Sequence, residues 1–199
     1  MTTIYFVRHA QPVANADWPD DRTRPLTAQG LADSQIVLDI LRGIPVDAAY
    51  GSPFARSLDT IAAFAQSRGL AVTTDERLRE RKAGAENWEH LDRRWADFSY
   101  FEDGGESLHS AQTRNMEALH DILDKHSGQT LVIGTHGAAL STILHHCDNR
   151  YSADDYRRIL NSLPYIIRLD FDGRQYIGQT ELHWNNRGYA AHTTQGGTP

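Results

Sequence analysis

Apolar positions along this chain fall into short runs separated by longer stretches with helical spacing. Thr3–Val7 is an apolar, β-rich run that fits a buried strand. From Thr27 onward, Leu31, Val37, Leu38 and Leu41 share one face of a predicted helix, with Gly43 as its stop. Val46–Tyr50 reads as a second strand. Ser52-Pro53 supplies an N-cap and first-turn pair for a further helix, in which Phe54, Leu58, Ile61, Ala62 and Ala65 recur until Gly69. Ala71–Thr74 is a short strand, and the stretch from Asp75 to Glu106 is polar and irregular, carrying Trp88, Trp95, Tyr100 and Phe101. A helix from Ser107 to about His126 turns Leu108, Met116, Leu119, Ile122 and Leu123 inward, with Gly128 closing it. Thr130–Gly134 is a continuous apolar strand, followed by a helix from near His136 that carries Leu140, Ile143 and Leu144. Pro164–Phe171 and Gln175–Leu182 form a strand pair around Asp172-Gly173, and the polar, Gly-rich stretch 183–199 is expected to be loosely held.

Strands alternating with helices predict an α/β fold, a three-layer sandwich whose mainly parallel central sheet is flanked by helices. At 199 residues the chain fits a single domain with one well-filled core. Ligands of such sheets bind beyond the carboxyl ends of the strands. Arg8-His9 follows the first strand at once, and His136 follows Thr130–Gly134 after one residue. Two histidines placed alike on neighbouring strand ends can share a pocket.

Composition narrows the classes. Hydrophobic residues make up 40% and charged residues 23%, ordinary values for a soluble globular protein. No run approaches the roughly 20 apolar residues of a membrane span, and Met1–Arg8 lacks the features of a signal peptide, so a cytoplasmic protein without a membrane partner is expected. A net charge of -6 argues against a nucleic-acid partner. Cys147, the one cysteine, excludes an internal disulfide and a Cys-based metal cluster. At the end of an apolar helix, it reads as a buried small hydrophobe. Lys82 and Lys125 are the only lysines, so a cation positioned for phosphate is expected to be a planar, forked guanidinium.

Six short segments occur in order along the chain: Arg8-His9 with Asn15; Arg24-Pro25-Leu26-Thr27 with Gly30; Ser52-Pro53-Phe54-Ala55-Arg56; Leu78-Arg79-Glu80 with Gly84; Gly104-Gly105-Glu106-Ser107; and Gly134-Thr135-His136-Gly137. Taken together they resemble the signature of the histidine phosphatase, or phosphoglycerate mutase-like, superfamily. They extend from Arg8 to Gly137, about two-thirds of the chain. Each is short and weak alone; the shared order is specific. The resemblance implies that His9 takes a phosphoryl group, and that Arg8, Arg56 and His136 hold its oxygens. It implies further phosphate contacts at Asn15 and Gly137, with Glu80 serving the leaving group. No metal or other cofactor is implied, and 75–106 is expected to lie over the site as a cap-like insertion.

The chemistry supports those roles independently. A phosphoryl group in transit spreads charge over three oxygens, so catalysis is mostly positioning and electrostatic stabilisation. Two guanidiniums each grip two oxygens in fixed geometry, which a lysine cannot do. Imidazole has an ordinary pKa of roughly 6.5, and flanking guanidiniums disfavour its protonated form, keeping His9 nucleophilic. A His136 protonated in the complex would donate to an oxygen, and only one of the two histidines has to be neutral. Glu80 acts as acid toward the departing alkoxide, then as base on water. Glu86 and Glu106 are its rivals, although Glu106 before Ser107 is better explained as a helix N-terminal residue.

Other features carry weaker signals. His145-His146 suggests metal binding, but adjacent helical residues face differently and no partner ligands accompany them. His90, His109, His120 and His126 carry no signal, and the four tryptophans are expected to pack the core or line the pocket lid. The family's frequent Gly-Glu after Arg-His is Ala10-Gln11 here, and its Trp-Glu-Gly element after Gly84 is replaced by Ala85-Glu86-Asn87-Trp88. Those departures bear on substrate recognition.

The leading expectation is a phosphatase acting on a small phosphorylated metabolite through phospho-His9. The alternative is phosphoglycerate mutase-type transfer; a protein phosphohistidine phosphatase and a non-catalytic phosphate binder rank below. Glu80-Arg81 matches a pair seen in mutases. The short stretch between Gly84 and Gly104 resembles the compact phosphatases. Arg22, Arg24, Arg79, Arg81, Lys82, Arg93 and Arg94 are all candidate second-site cations, and sequence does not sort them or fix the oligomeric state.

Overall fold

The computed structural model describes residues 1–85 and 89–184. Along them run β1 (Thr2–Arg8), α1 (Ala28–Leu41), β2 (Ala48–Gly51), α2 (Ala55–Ser67), β3 (Val72–Thr74), α3 (Leu91–Ala96), α4 (Leu108–Lys125), β4 (Thr130–Thr135), α5 (Gly137–Cys147), α6 (Ala153–Leu160), β5 (Tyr165–Asp172) and β6 (Gln175–His183). The strands form one six-stranded sheet in the order β3-β2-β4-β1-β5-β6. Strands β3, β2, β4 and β1 are mutually parallel, whereas β5 runs antiparallel to both β1 and β6. This is the expected α/β architecture with a mixed, mainly parallel sheet.

Side-chain alternation in the central strands explains why both sheet faces are covered. Successive strand residues point to opposite faces. In β1, Ile4 and Phe6 join Leu131 and Ile133 of β4 in a cluster with Leu119, Leu123, Leu140 and Ile143 from α4 and α5. Tyr5, Val7 and Val132 face the other way and pack with Val37, Leu41, Ile61 and Phe64 from α1 and α2. Each fully buried Leu, Ile or Phe stabilises the fold by about 1.5–3 kcal/mol relative to exposure. The apolar runs in β1 and β4 are continuous because both faces are buried.

Several local expectations need correction. Helix α1 buries Gly30, Asp33, Ser34, Val37 and Leu41. Leu31 falls off that stripe and is exposed. Helix α2 begins at Ala55, not at Pro53, with no side-chain cap. Its inward stripe is Arg56, Ser57, Thr60, Ile61, Phe64 and Ala65, polar at the start and apolar beyond. Helices α3 and α6 lie where no helix was singled out, and β6 continues through His183. Trp18 and Trp184 are exposed, while Trp95 packs among Phe98, His145, Tyr151 and Tyr156. Cys147 is half-buried against the core, and burial pushes its thiol up to about 12. Glu86, Asn87, Trp88 and the segment from residue 185 onward lie outside the described residues.

Two contacts fix the segments that border the strand ends. An added Cβ on Gly30 would fall 2.2 Å from the Gln11 carbonyl oxygen, so only glycine lets α1 approach the loop after His9 this closely. Gly84 and Gly105 meet backbone to backbone, and a Cβ on Gly84 would lie 2.7 Å from Glu102 Cβ. The second contact pins the two ends of the irregular segment together.

Candidate active site

Strand register brings the candidate residues together. Arg8 pairs with Thr135 across β1 and β4, and the His9 amide donates to the Thr135 carbonyl at 3.1 Å. His9 and His136 therefore emerge side by side, with ring centroids 5.3 Å apart and edge to face. Gly51 pairs with Gly134, and the Ser52 amide donates to the Gly134 carbonyl at 3.0 Å, which brings the start of α2 to the same place. Arg8, His9, Arg56 and His136 are all buried, none more than 6% exposed.

Each of these side chains is held by identifiable neighbours. Arg8 Nη1 donates to the Ile159 carbonyl and, at 3.0 Å, to the Ser162 carbonyl. The C-terminal end of α6 thus steadies this guanidinium, in keeping with the negative end of a helix dipole. His9 Nδ1 lies 2.8 Å from the Ala10 carbonyl oxygen. That acceptor has no hydrogen, so Nδ1 carries the ring proton and Nε2 keeps its lone pair. The Ala10 amide donates to Thr60 Oγ1, which itself donates to the Arg56 carbonyl, so the loop after β1 is tied to α2.

Arg56 lies over the Phe54 ring at 5.0 Å, and the other side of the arrangement is an edge contact between Phe54 and His136 at 5.2 Å. Its terminal nitrogens donate to the Asp21 carboxylate at 3.1 and 3.2 Å and to the Asp21 carbonyl at 2.7 Å. Arg24, also buried, donates to the same carboxylate at 3.0 Å. Asp21 is thus a bridging anion between two guanidiniums, with half its side chain exposed.

The electrostatic consequence falls on the histidines. Burial, then the charges of Arg56 and Arg8, push His9 well below its ordinary value. Burial and Arg56, followed by His9 and Arg8, do the same for His136. Both rings are neutral at physiological pH. This counts against a protonated His136 in the free protein.

Glu80 reaches the same strand ends through α5. Its carboxylate accepts the amides of Ala138 at 3.1 Å and Ala139 at 3.0 Å, in the first turn of the helix that His136 caps. The Arg81 amide adds a third bond at 2.8 Å. Glu106, its former rival, is committed elsewhere. It accepts from Arg79, Arg114 and the Lys82 amide, and although burial opposes ionisation, those partners hold it at about 2. A carboxylate so firmly ionised is no proton donor near neutrality. Gly137 lies against Arg8, where an added Cβ would be 3.4 Å from Nε. Asn15 opens an exposed 3-10 turn, Asn15–Asp17, and makes no described side-chain contact to these residues.

The seven candidate second-site cations separate clearly. Arg24 joins the site. Arg22 pairs with exposed Glu76, Arg79 with Glu106, and Arg81 and Arg94 with buried Glu102. Arg93 stacks on Tyr100 at 4.0 Å. Arg79 and Lys82 also line an open groove of about 420 Å³ with Phe101, His109 and Ser110. That groove contains none of Arg8, His9, Arg56, Glu80 or His136, so converging charge marks the site better than concavity does. His145 bonds the Tyr151 carbonyl at 2.8 Å and stacks on Phe98, which accounts for it as a packed residue.

Sequence reasoning missed Asp21, Ser52, the α6 carbonyls and Tyr156. Ser52 Oγ lies 2.7 Å from His136 Nε2, a role that its placement as a helix cap obscured. The Tyr156 ring packs beside the Gly137 position, and burial pushes its phenol up to about 12. No periodic apolar signal pointed to α6, which buries only Ile159.

A parallel sheet that gathers two neutral histidines and two forked arginines at its strand ends is suited to an anionic, phosphate-like group. The chain matches the histidine phosphatase superfamily (branch 1) over residues 4–187 and belongs to that superfamily. It is 28% identical to a probable phosphoglycerate mutase, GpmB, of Salmonella choleraesuis over 89% of this chain and 88% of the relative. Among solved structures it resembles Bacillus stearothermophilus YhfR with a TM-score of 0.73 and 26% identity, covering 89% of this chain and 95% of that one. It also shares the fold of an Entamoeba histolytica phosphoserine phosphatase solved with 3-phosphoglyceric acid, with a TM-score of 0.74, 19% identity, and coverage of 94% and 100%.

Proposed function

We propose that this protein is a phosphatase that hydrolyses a small phosphate ester through a phosphohistidine on His9. The observation that carries this reading is the state of His9. The ring is buried and neutral, and its Nδ1 proton is committed to the Ala10 carbonyl, so Nε2 is left as the nucleophile. In the first step, the Nε2 lone pair attacks phosphorus and the ester P–O bond breaks, and Glu80, entering the step as the carboxylic acid, gives its proton to the departing alkoxide and is left as the carboxylate. In the second, water gives a proton to Glu80 and attacks phosphorus, the N–P bond breaks, and inorganic phosphate leaves. Arg8, Arg56 and His136 hold the phosphoryl oxygens, with Asn15 and Gly137 at the edge of the cradle.

We read 75–106 as a cap over the site and the whole chain as one histidine phosphatase domain that acts on a phosphorylated metabolite in the cytoplasm. Transfer to a second hydroxyl, as in a mutase, is the alternative favoured by the name of the Salmonella relative. A mutase needs further cations for a second anionic group, yet Arg81 and Arg94 are locked on the buried carboxylate of Glu102, unlike Arg56 and Arg24, whose partner Asp21 is half exposed. That pairing supports hydrolysis. Rapid acid quench with a labelled ester should trap the label on His9, and label on a carboxylate would sink the mechanism. A panel of phosphorylated metabolites, scored for phosphate release and for isomer formation, separates phosphatase from mutase.

A further inference from the structure

His136 presents one engaged nitrogen and one unengaged nitrogen. Nε2 lies 2.7 Å from Ser52 Oγ, and both residues are wholly buried. Nδ1 is buried and has no hydrogen-bond partner among the described residues. A buried polar atom left unpaired is destabilising, so an unpaired ring nitrogen beside a candidate site calls for an explanation.

The two neutral tautomers make different demands on Ser52. Its hydroxyl oxygen already accepts the Phe54 amide at 3.3 Å. If His136 carried its proton on Nε2, the serine would accept a second bond, and no acceptor for its own hydrogen is found among the described residues. Nδ1 would then offer a lone pair, which repels a phosphoryl oxygen. If Ser52 instead donates its hydrogen to Nε2, the imidazole proton must sit on Nδ1. The ring then supplies a desolvated N–H donor to the region that Arg56, His9 and Arg8 surround, without bearing a charge of its own.

We infer that Ser52 is a positioning residue that fixes His136 as the neutral Nδ1–H tautomer, so that Nδ1–H donates to a phosphoryl oxygen. The tautomer rests on hydrogen-bond geometry; its use rests on the phosphoryl-transfer reading above. Strand register makes the assignment robust, because Gly51 and Gly134 are paired partners and Ser52 therefore leaves β2 next to the end of β4. A preorganised donor of this kind typically contributes about 10²–10³-fold in kcat. Losing the tautomer control but not the ring should cost part of that, about 10–100-fold.

The test is 15N NMR of the full chain labelled at histidine. In the wild-type protein His136 should show a pyrrole-type Nδ1 and a pyridine-type Nε2; the reverse pattern overturns the inference, and does so whether or not any variant folds. Ser52→Ala should give a mixture of both tautomers and lower kcat on p-nitrophenyl phosphate, while Ser52→Thr, which keeps the hydroxyl, should restore both. Unchanged tautomer and kcat in Ser52→Ala also overturn it. Adding inorganic phosphate should shift the Nδ1–H proton of the wild-type protein downfield, and an unmoved signal removes the proposed contact. If the tautomer is as expected but no phosphate ester is turned over, the functional reading fails and the tautomer assignment stands.

Discussion

The strand-end floor of the molecule and the segment from Asp75 to Glu106 are built on opposite principles. The floor is set by sheet register: Arg8, His9, Ser52 and His136 follow directly from paired strands, and Arg56 follows from the first turn of α2. Nothing there has room to shift without breaking the ladder. The segment instead relies on side chains, with Glu106 gathering Arg79 and Arg114, and Glu102 gathering Arg81 and Arg94. Its backbone is tied where Gly84 and Gly105 approach closely and where the Glu106 amide donates to the Lys82 carbonyl at 3.0 Å. Under the proposed function the difference separates two tasks. Reaction chemistry needs sub-ångström placement and sits on rigid elements, whereas recognition tolerates variation and sits on connecting structure.

The comparison can be broken most directly at the floor. His9→Ala should lower phosphate release from p-nitrophenyl phosphate by on the order of 10⁴-fold or more, as removal of a nucleophile does. Substantial activity in that variant would end the claim that the floor carries the chemistry. Arg56→Ala should cost about 10²–10³-fold in kcat, and Arg56→Lys should recover only a small part, because a point charge cannot reproduce a fork. Full rescue by lysine would mean that charge alone, not geometry, matters there.

Glu80 lies on the seam, in the segment by sequence but bonded to the floor through α5. Glu80→Gln should slow alkyl phosphates by about 10²-fold while changing p-nitrophenyl phosphate turnover by under about tenfold, since a good leaving group needs little protonation. Equal losses on both would assign the proton to another group. On the segment itself, Lys82→Ala and Arg93→Ala should alter p-nitrophenyl phosphate turnover by no more than about threefold; a larger drop would place the groove side in the reaction.

The smallest expected effect is an absent one. Burial and neighbouring guanidiniums lower both site histidines, so each ring stays neutral as pH falls through its ordinary value of roughly 6.5 and takes a proton only below it. Their NMR signals should therefore not titrate between about pH 6 and 7.5. A midpoint near 6.5 for His9 would show that the floor is wetter than its burial implies.

The floor was legible in the sequence because periodicity reports strands and strand ends place their next residues. That rule put Arg8-His9 and His136 at neighbouring strand ends, whereas Arg56 was marked by the motif resemblance, not by any periodicity. Beyond Arg56, the polar start of the α2 stripe, Ser57 and Thr60, was not legible, because buried hydroxyls leave no apolar period. Asp21 was hidden for another reason: an acidic residue in a polar loop looks solvated until the fold places two guanidiniums beside it. Helix α6 was invisible because one buried residue, Ile159, gives no period, and its contribution to the site is made by backbone carbonyls that any sequence possesses.

Asp21 has a consequence for how the proposed reaction cycles. In this structure the Asp21 carboxylate occupies the fork of Arg56. An entering phosphate group must therefore exchange for an anion rather than add to an empty cation. Part of the attraction is cancelled by the bond that is given up, which weakens ester and product alike. When inorganic phosphate remains after hydrolysis, the tethered carboxylate competes for the same nitrogens at high local concentration. Under the proposed function the loop would act as a built-in eluent, emptying the site by displacement.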